Sequence, residues 1–308
     1  MEIVFLGTGA AWGLPEHSCS CAVCRKMSEL GEYRTRTSFL VRGSRTVLMD
    51  CGPDLGIQMR KNSMEKPDLV LITHEHGDHY LGMDELLAFR RSVPADEWTR
   101  IPVYATEQTW EAVEIRFGYL LGTLIEKRIV VPGVPLPETK MRITPFKTDH
   151  GPGAKGSVGY VLEDRAGEES VKLLYTSDFV RVEEEPELLL EPDILVIQSH
   201  WLNEPQVNRP NLMSFQRALE YIHRWRPRSA TYLVHISDGD QIPGDPCNSF
   251  LKKYAPRSPI SEPVSGKPYP VPRCHAEWQA VVDRICKDYA VPGPVVVARD
   301  GMTVNHSF

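Results

Sequence analysis

Between His74 and His79 the chain places three imidazoles and two carboxylates in six residues, His74-Glu75-His76-Gly77-Asp78-His79. Imidazole and carboxylate are donors that zinc, manganese and iron accept, and a His-x-His pair sets two rings on the same side of an extended turn. One divalent ion is expected there. Asp78 and His79 follow where the chain turns toward a helix, so they can face a second ion. Two metals about 3.5–4 Å apart clamp an in-line displacement at phosphorus or carbon. Histidines usually scatter singly over a surface. Three of this chain's ten fall in one six-residue run, which points to metal-assisted hydrolysis, with Asp78 in the catalytic set as well as among the ligands.

A second donor cluster stands near the amino end. Cys19-Ser20-Cys21-Ala22-Val23-Cys24 brings three thiols within reach of one ion at the tight spacing of structural zinc sites, and leaves one tetrahedral position open. Seven cysteines is an odd number, which suits thiols and thiolates in a reducing compartment better than disulfides. Cys51 and Cys286 lie in apolar or helical surroundings and read as small core residues.

These donors need strands to hold them. Ile3–Leu6, Thr46–Asp50, Asp68–Thr73 and Ile194–Gln198 are short, apolar and β-branched, and several look buried on both faces. Helical spacing runs through Gly82–Arg90, Met213–Trp225 and Ala276–Tyr289, so strands alternate with helices and the class is α/β. Gly7-x-Gly9 with Gly13 does not have the spacing of a dinucleotide fingerprint and reads as a tight turn after the first strand. From Gly239 to His275 the chain carries eight prolines and little periodicity, an extended surface excursion. After it, Val295–Ala298 and Thr303–Asn305 read as a hairpin across the Asp300-Gly301 turn.

Composition narrows the class of protein. With 308 residues, 42% of them hydrophobic, one domain spanning 1–308 with an insertion at about 239–275 is expected. Met1-Glu2 leads directly into a strand, and no apolar run approaches the roughly 20 residues of a membrane helix. A soluble, cytoplasmic protein with no membrane partner is expected. A net charge of −6 gives no basic field, so a small substrate is favoured over a stable nucleic-acid complex, and a homodimer stays open.

The His-x-His-x-Asp-His run resembles the signature of the metallo-β-lactamase superfamily. That resemblance implies an αββα sandwich, two mixed sheets flanked by helices, and two catalytic divalent ions, Zn2+ or Mn2+. It further implies that His74, His76 and a later histidine, His150 of Thr148-Asp149-His150-Gly151, hold one ion. Asp78, His79 and His235 of Val234-His235-Ile236-Ser237 hold the other, and Asp178 of Thr176-Ser177-Asp178 bridges them. A bridging hydroxide is then the nucleophile, since coordination can lower the pKa of water to about 7. His200, closing Ile197-Gln198-Ser199-His200, is the expected general acid because imidazole titrates near neutrality, with a capping or supporting role as the alternative. Asp50 resembles the family's buried aspartate that steadies ligand histidines.

The cysteine trio, about ten residues after Leu6-Gly7-Thr8-Gly9, narrows the resemblance to the PhnP-like phosphodiesterase group and, more distantly, to the PqqB-like group. The PhnP pattern completes a structural Zn2+ with a histidine three positions beyond the last active-site histidine, where this chain has Asp238. Asp238 is the favoured fourth ligand, and Cys247 or Cys274 from the excursion are the alternatives. The implied activity is a metal-dependent phosphodiesterase acting on a small cyclic or nucleotide-type phosphodiester. A tRNA 3′-processing nuclease, or a PqqB-like biosynthetic accessory protein, is the alternative.

Overall fold

Strands apolar on both faces need cover on both sides, and two stacked sheets with helices outside supply it. The structure, a computed structural model, describes residues 1–137, 140–166, 169–207 and 211–306. The chain lays down β1 (Glu2–Gly7), β2 (Ser38–Arg42), β3 (Thr46–Met49), β4 (Leu69–Leu71), β5 (Ile101–Ala105) and β6 (Ile125–Ile129) in one sheet. It then builds a second from β7 (Arg142–Lys147), β8 (Val158–Ala166), β9 (Glu169–Tyr175), β10 (Ile194–Gln198), β11 (Ala230–Val234) and β12 (Val295–Val297), and returns β13 (Thr303–Asn305) to the first.

The spatial orders are β13-β1-β2-β3-β4-β5-β6 and β12-β11-β10-β9-β8-β7. Both sheets are mixed. In the first, β13, β1, β2 and β3 pair antiparallel and β3 to β6 parallel. In the second, β7, β8 and β9 pair antiparallel and β9 to β12 parallel.

Alternation along each strand divides the core into layers. Ile3, Phe5, Phe39, Val47 and Leu71 of the first sheet meet Tyr160, Leu173, Tyr175, Val196 and Tyr232 of the second. On the outer side of the first sheet, Leu6, Leu40, Leu48 and Val70 pack with Leu55, Trp110 and Val113. Those last residues belong to α2 (Leu55–Lys61) and α5 (Glu107–Phe117), which follow α1 (Ala22–Leu30) and enclose α3 (Gly77–Tyr80) and α4 (Leu87–Arg91) in the chain. On the outer side of the second sheet lie α6 (Phe215–Trp225) and α7 (His275–Asp288). Ser214 starts α6 by accepting the Arg217 N–H at 3.1 Å, and Phe215, Ala218, Leu219, Ile222 and Trp225 form its buried stripe. The result is the expected αββα sandwich.

Two local expectations change. Val295–Ala298 and Thr303–Asn305 do not form a hairpin: β12 joins β11 and β13 joins β1, so the Asp300-Gly301 turn carries the chain from one sheet to the other. The segment Gly82–Arg90 begins as a 3-10 turn, Met83–Leu86, before α4 takes over. The proline-rich excursion holds one 3-10 turn, Pro246–Ser249, and is anchored by buried Cys247, Lys253, Ile260, Tyr269 and Cys274. No helix among the described residues is long and apolar enough to cross a membrane.

Candidate metal centre

Functional groups gather where strands end. Beyond the carboxyl ends of β3 and β4 in one sheet, and of β7, β9, β10 and β11 in the other, lie Asp50, His74, His150, Asp178, His200 and His235. Ile72 and Thr73 carry the chain out of β4 to His74, and the single turn α3 opens on His76 as its N-cap. His79 N donates back to the His76 carbonyl at 3.0 Å, which turns Asp78 and His79 toward the second sheet.

The backbone is strained at this rim. Asp50, Ser177 and His235 each have positive φ, 58°, 56° and 60°. A single non-glycine residue in that region costs on the order of 1–2 kcal/mol. Three of them surround one group of donors.

Those donors form two groups. His74 Nε2 lies 3.1 Å from His76 Nδ1, which lies 3.0 Å from His150 Nε2. Around a zinc with Zn–N near 2.05 Å, tetrahedral donors stand about 3.3 Å apart, so these three nitrogens are spaced to hold one ion. In the second group, His79 Nε2 is 3.2 Å from Asp78 Oδ2 and 3.6 Å from Asp178 Oδ2. His235 Nδ1 is 3.0 Å from Asp178 Oδ1. Asp178 Oδ2 also reaches to 3.9 Å from His150 Nε2, which places this carboxylate between the groups.

His79 Nε2 and His235 Nδ1 are buried and have no hydrogen-bond partner. Buried polar atoms are nearly always paired, so two orphans aimed at one carboxylate fit a site built for a cation. The structure therefore brings together all seven of His74, His76, Asp78, His79, His150, Asp178 and His235.

Electrostatics sets their protonation. Burial, with neighbouring His79 and His150, pushes His74 well below the ordinary histidine value, and burial lowers His150. Burial opposes charge on Asp178, but His235 and His79 outweigh it and hold the carboxyl well below its usual range. For Asp78, burial is outweighed by His79, and the pKa falls to about 2. Burial pulls His79 down, yet Asp78, Asp50 and Asp178 together raise it well above the ordinary value. In one group His74 and His150 thus offer neutral nitrogens, and the other offers two ionised carboxylates beside His79. Metal binding requires deprotonated donors, and burial and charge favour that state at His74, His150, Asp78 and Asp178.

A buried network fixes the rings. Asp50, fully buried, accepts the Thr73 N–H at 2.8 Å, the Thr73 hydroxyl at 3.0 Å and His79 Nδ1–H at 2.8 Å. With its proton given to Asp50, Thr73 Oγ1 accepts from His74 Nδ1–H at 3.0 Å. The Asn211 carbonyl accepts His150 Nδ1–H at 2.7 Å. Each bond leaves Nε2 free as a donor atom toward the site. The hydroxyl of Tyr175 also reaches Asp50, at 3.4 Å.

Glu75, Asn211 and Tyr175 have no role in the sequence reading. Glu75 accepts the Gly156 N–H and the Thr109 hydroxyl, each at 3.2 Å, and so ties the loop after His150 to the histidine run. Its place between two histidines is the one signal for it. Asn211 acts through its carbonyl, which no side-chain pattern marks.

His200 follows β10, with its ring centroid 5.7 Å from His235 and 4.5 Å from Trp201. Its carbonyl accepts the Ser237 N–H and hydroxyl at 3.1 and 2.7 Å. Burial lowers its pKa to about 3, so the chain by itself keeps this imidazole neutral and it does not titrate near neutrality. Its buried Nδ1 has no partner.

The cysteine trio wraps the start of α1, where Cys21 is the N-cap. Asp238 Oδ2 lies 3.8, 3.0 and 3.3 Å from the sulfurs of Cys19, Cys21 and Cys24. These four form one donor group. Cys247 instead meets the Ser20 hydroxyl at 3.6 Å, and Cys274 stands at the N-cap of α7. Asp238 follows His235 by three residues, so the loop after β11 supplies one donor to each cluster.

A family model described as the beta-lactamase superfamily domain matches residues 45–236. The chain is 33% identical over 161 residues to an octanoyltransferase of Porphyromonas gingivalis, covering 49% of this chain and 31% of that one. It is 31% identical over 176 residues to the anti-Pycsar protein Apyc1 of a Paenibacillus species, covering 52% and 64%. It is also 31% identical over 175 residues to ribonuclease Z of Listeria monocytogenes, covering 54% and 51%. The matches thus span from about a third to just under two thirds of these relatives. Among solved structures, a diphosphatase of the PhnP family shares the fold at TM-score 0.69 and 22% identity, over 99% of this chain and 98% of that one. Zinc-bound PqqB from Methylobacterium extorquens shares it at TM-score 0.65 and 18% identity, over 99% and 100%.

Proposed function

The chain belongs to the β-lactamase superfamily, and from that premise we propose that it is a metal-dependent phosphodiesterase acting on a small cyclic or nucleotide-type phosphodiester. The observation that carries this reading is the pair of converging donor groups with Asp178 between them. In it, His74, His76 and His150 would hold one divalent ion, and Asp78, His79 and His235 the other. The bound ions would supply a water of lowered pKa and positive charge for the phosphoryl oxygens.

The protein's own groups do the remaining work. Asp50 and Thr73 orient His79 and His74, and Asn211 orients His150. His200 is read as the proton source for the leaving oxygen. A buried, orphaned N–H costs more than an orphaned acceptor, so its proton is placed on Nε2 rather than on the unpartnered Nδ1. The neutral ring can hydrogen-bond the leaving oxygen, and it would act as proton source only once the incoming phosphoryl charge raises its basicity, against the burial that lowers it, enough to protonate it.

The likeness to ribonuclease Z supports a second reading, a nuclease acting on tRNA 3′ ends. Nuclease relatives of that kind would need a long basic arm to hold RNA, and between Thr148 and Asp178 the described residues are largely taken up by β8 and β9. The small substrate is therefore favoured.

Metal analysis of purified protein is expected to find about three ions per chain; one ion would sink the dinuclear reading. Activity on bis(p-nitrophenyl) phosphate and 2′,3′-cyclic nucleotides should disappear in His76→Ala. Equal rates in that variant would dispose of the proposed site.

A further inference from the structure

The cysteine cluster has two companions that the metal reading does not use. Lys252 Nζ lies 2.6 Å from Asp238 Oδ2 and 2.8 Å from Glu16 Oε2. Lys253, with a fully buried side chain, donates to the carbonyls of Asp238 and Asp240, and its ammonium is 4.0 Å from Asp238 Oδ2. Both lysines come from the proline-rich excursion; Lys252 reaches Glu16 beside the amino-terminal cysteines, and Lys253 reaches Asp238 and Asp240.

A fully buried ammonium is expensive unless negative charge faces it. Among the described residues Lys253 touches two carbonyls and has the Asp238 carboxylate at 4.0 Å, while Asp240 and Asp245 feel its charge from farther off. The missing charge is available from the donor set itself. Three thiolates and one carboxylate carry four negative charges, and a divalent ion leaves two of them uncompensated. A neutral imidazole as fourth ligand would leave one. Asp238 thus makes the centre more anionic by one charge, which the two lysines offset, Lys252 being shared with Glu16.

We propose that Lys252 and Lys253 are the counter-cations of an anionic Cys3Asp metal centre, and that this charge pairing locks the 239–275 segment onto the domain when the centre is filled. The proposal rests on reading the cysteine set as a metal site. Coupling of this kind is reciprocal: if the ion holds the segment, the segment holds the ion. The locked segment also reaches the active site. Tyr254, the next residue, packs edge-on against Trp201 at 5.7 Å, and Trp201 packs against His200. Gly239 lies so close to Trp201 that an added Cβ would fall 2.4 Å from its Nε1.

The test uses the full chain loaded with Co2+, because cobalt bound to thiolate shows a ligand-to-metal charge-transfer band that the histidine–aspartate ions lack. Loss of that band to excess EDTA is followed in the natural protein, Lys252→Met, Lys252→Arg, Asp238→His and the Asp238→His/Lys252→Met double variant. Lys252 is partly exposed, so its replacement leaves the core intact, and circular dichroism checks the fold. Removing one charge beside the centre should speed loss of the ion roughly tenfold, and Lys252→Arg should restore most of the natural rate.

In the Asp238→His background, where the fourth ligand is neutral, the same lysine substitution should change the rate less than threefold. Chymotryptic cutting after Phe250 should accelerate in parallel in Lys252→Met and in the metal-free natural protein. An unchanged rate of cobalt loss in Lys252→Met, or an equal effect in both backgrounds, overturns the proposal while leaving the metal site standing. Absence of the thiolate band in the natural protein overturns the metal reading beneath it.

Discussion

At the scale of single residues, the site depends on groups that never touch a substrate. Asp50 accepts three hydrogen bonds from Thr73 and His79 in a fully buried position. Asp50→Asn keeps the shape but exchanges an acceptor oxygen for a donor, so His79 loses the partner that fixes its tautomer. Ion affinity in the second group should fall about 10–100-fold, measured by isothermal titration of the metal-free protein, and an unchanged affinity would remove Asp50 from the orienting network. His200 calls for a different readout. His200→Ala should cost about 100-fold or more in kcat on a cyclic or alkyl phosphodiester, whose leaving oxygen needs a proton. It should cost little on bis(p-nitrophenyl) phosphate, whose leaving group departs as a stable anion. Equal losses on both substrates would reassign His200 to support. The candidate donors His74, His76, Asp78 and His79 were legible in the sequence because their chemistry is written in side chains, and His150, Asp178 and His235 only through the family resemblance. Asn211 was not, because a backbone carbonyl has no residue type, and the pKa of His200 was misjudged because depth of burial is a property of the fold.

At the scale of elements, the short turn α3 is held in place by backbone contact rather than by its own length. A four-residue helix has no stability alone. The chain between β3 and α2 supports it: Cys51 N donates to the His79 carbonyl at 2.8 Å, and a Cβ on Gly52 would fall 2.0 Å from the Asp78 carbonyl oxygen. Gly52→Ala should therefore push Asp78 and His79 out of register, destabilise the fold by about 1–3 kcal/mol and weaken the second ion more than the first. Thermal unfolding and metal stoichiometry check both halves, and full retention of two tightly bound ions would show that α3 is positioned otherwise. Element types were readable where period and length agreed, as in β10 and α6. The hairpin expected across Asp300-Gly301 was not, because turn chemistry fixes a local reversal and leaves open which sheet edge each arm joins. Here β13 pairs with β1 and β12 with β11, a choice made by the packing of the two sheets.

At the scale of the whole molecule, charge separates a small substrate from a long one. With a net charge of −6 and a rim of carboxylates and imidazoles, attraction of a phosphodiester would fall to the proposed ions, which act over a few ångströms. Proteins that grip nucleic acid through six to ten phosphates lose about 10³–10⁵ in affinity between 50 and 200 mM salt. A site that engages one phosphodiester gives up only a small part of that. We expect kcat/KM on a 2′,3′-cyclic nucleotide to change less than about threefold over this range, with a tRNA precursor cleaved slowly if at all. The measurement is a log–log plot of kcat/KM against salt for both substrates in one buffer with constant metal. Efficient processing of the precursor with a steep negative slope would overturn the small-substrate reading and favour the nuclease, because only a multi-phosphate contact surface produces such a slope.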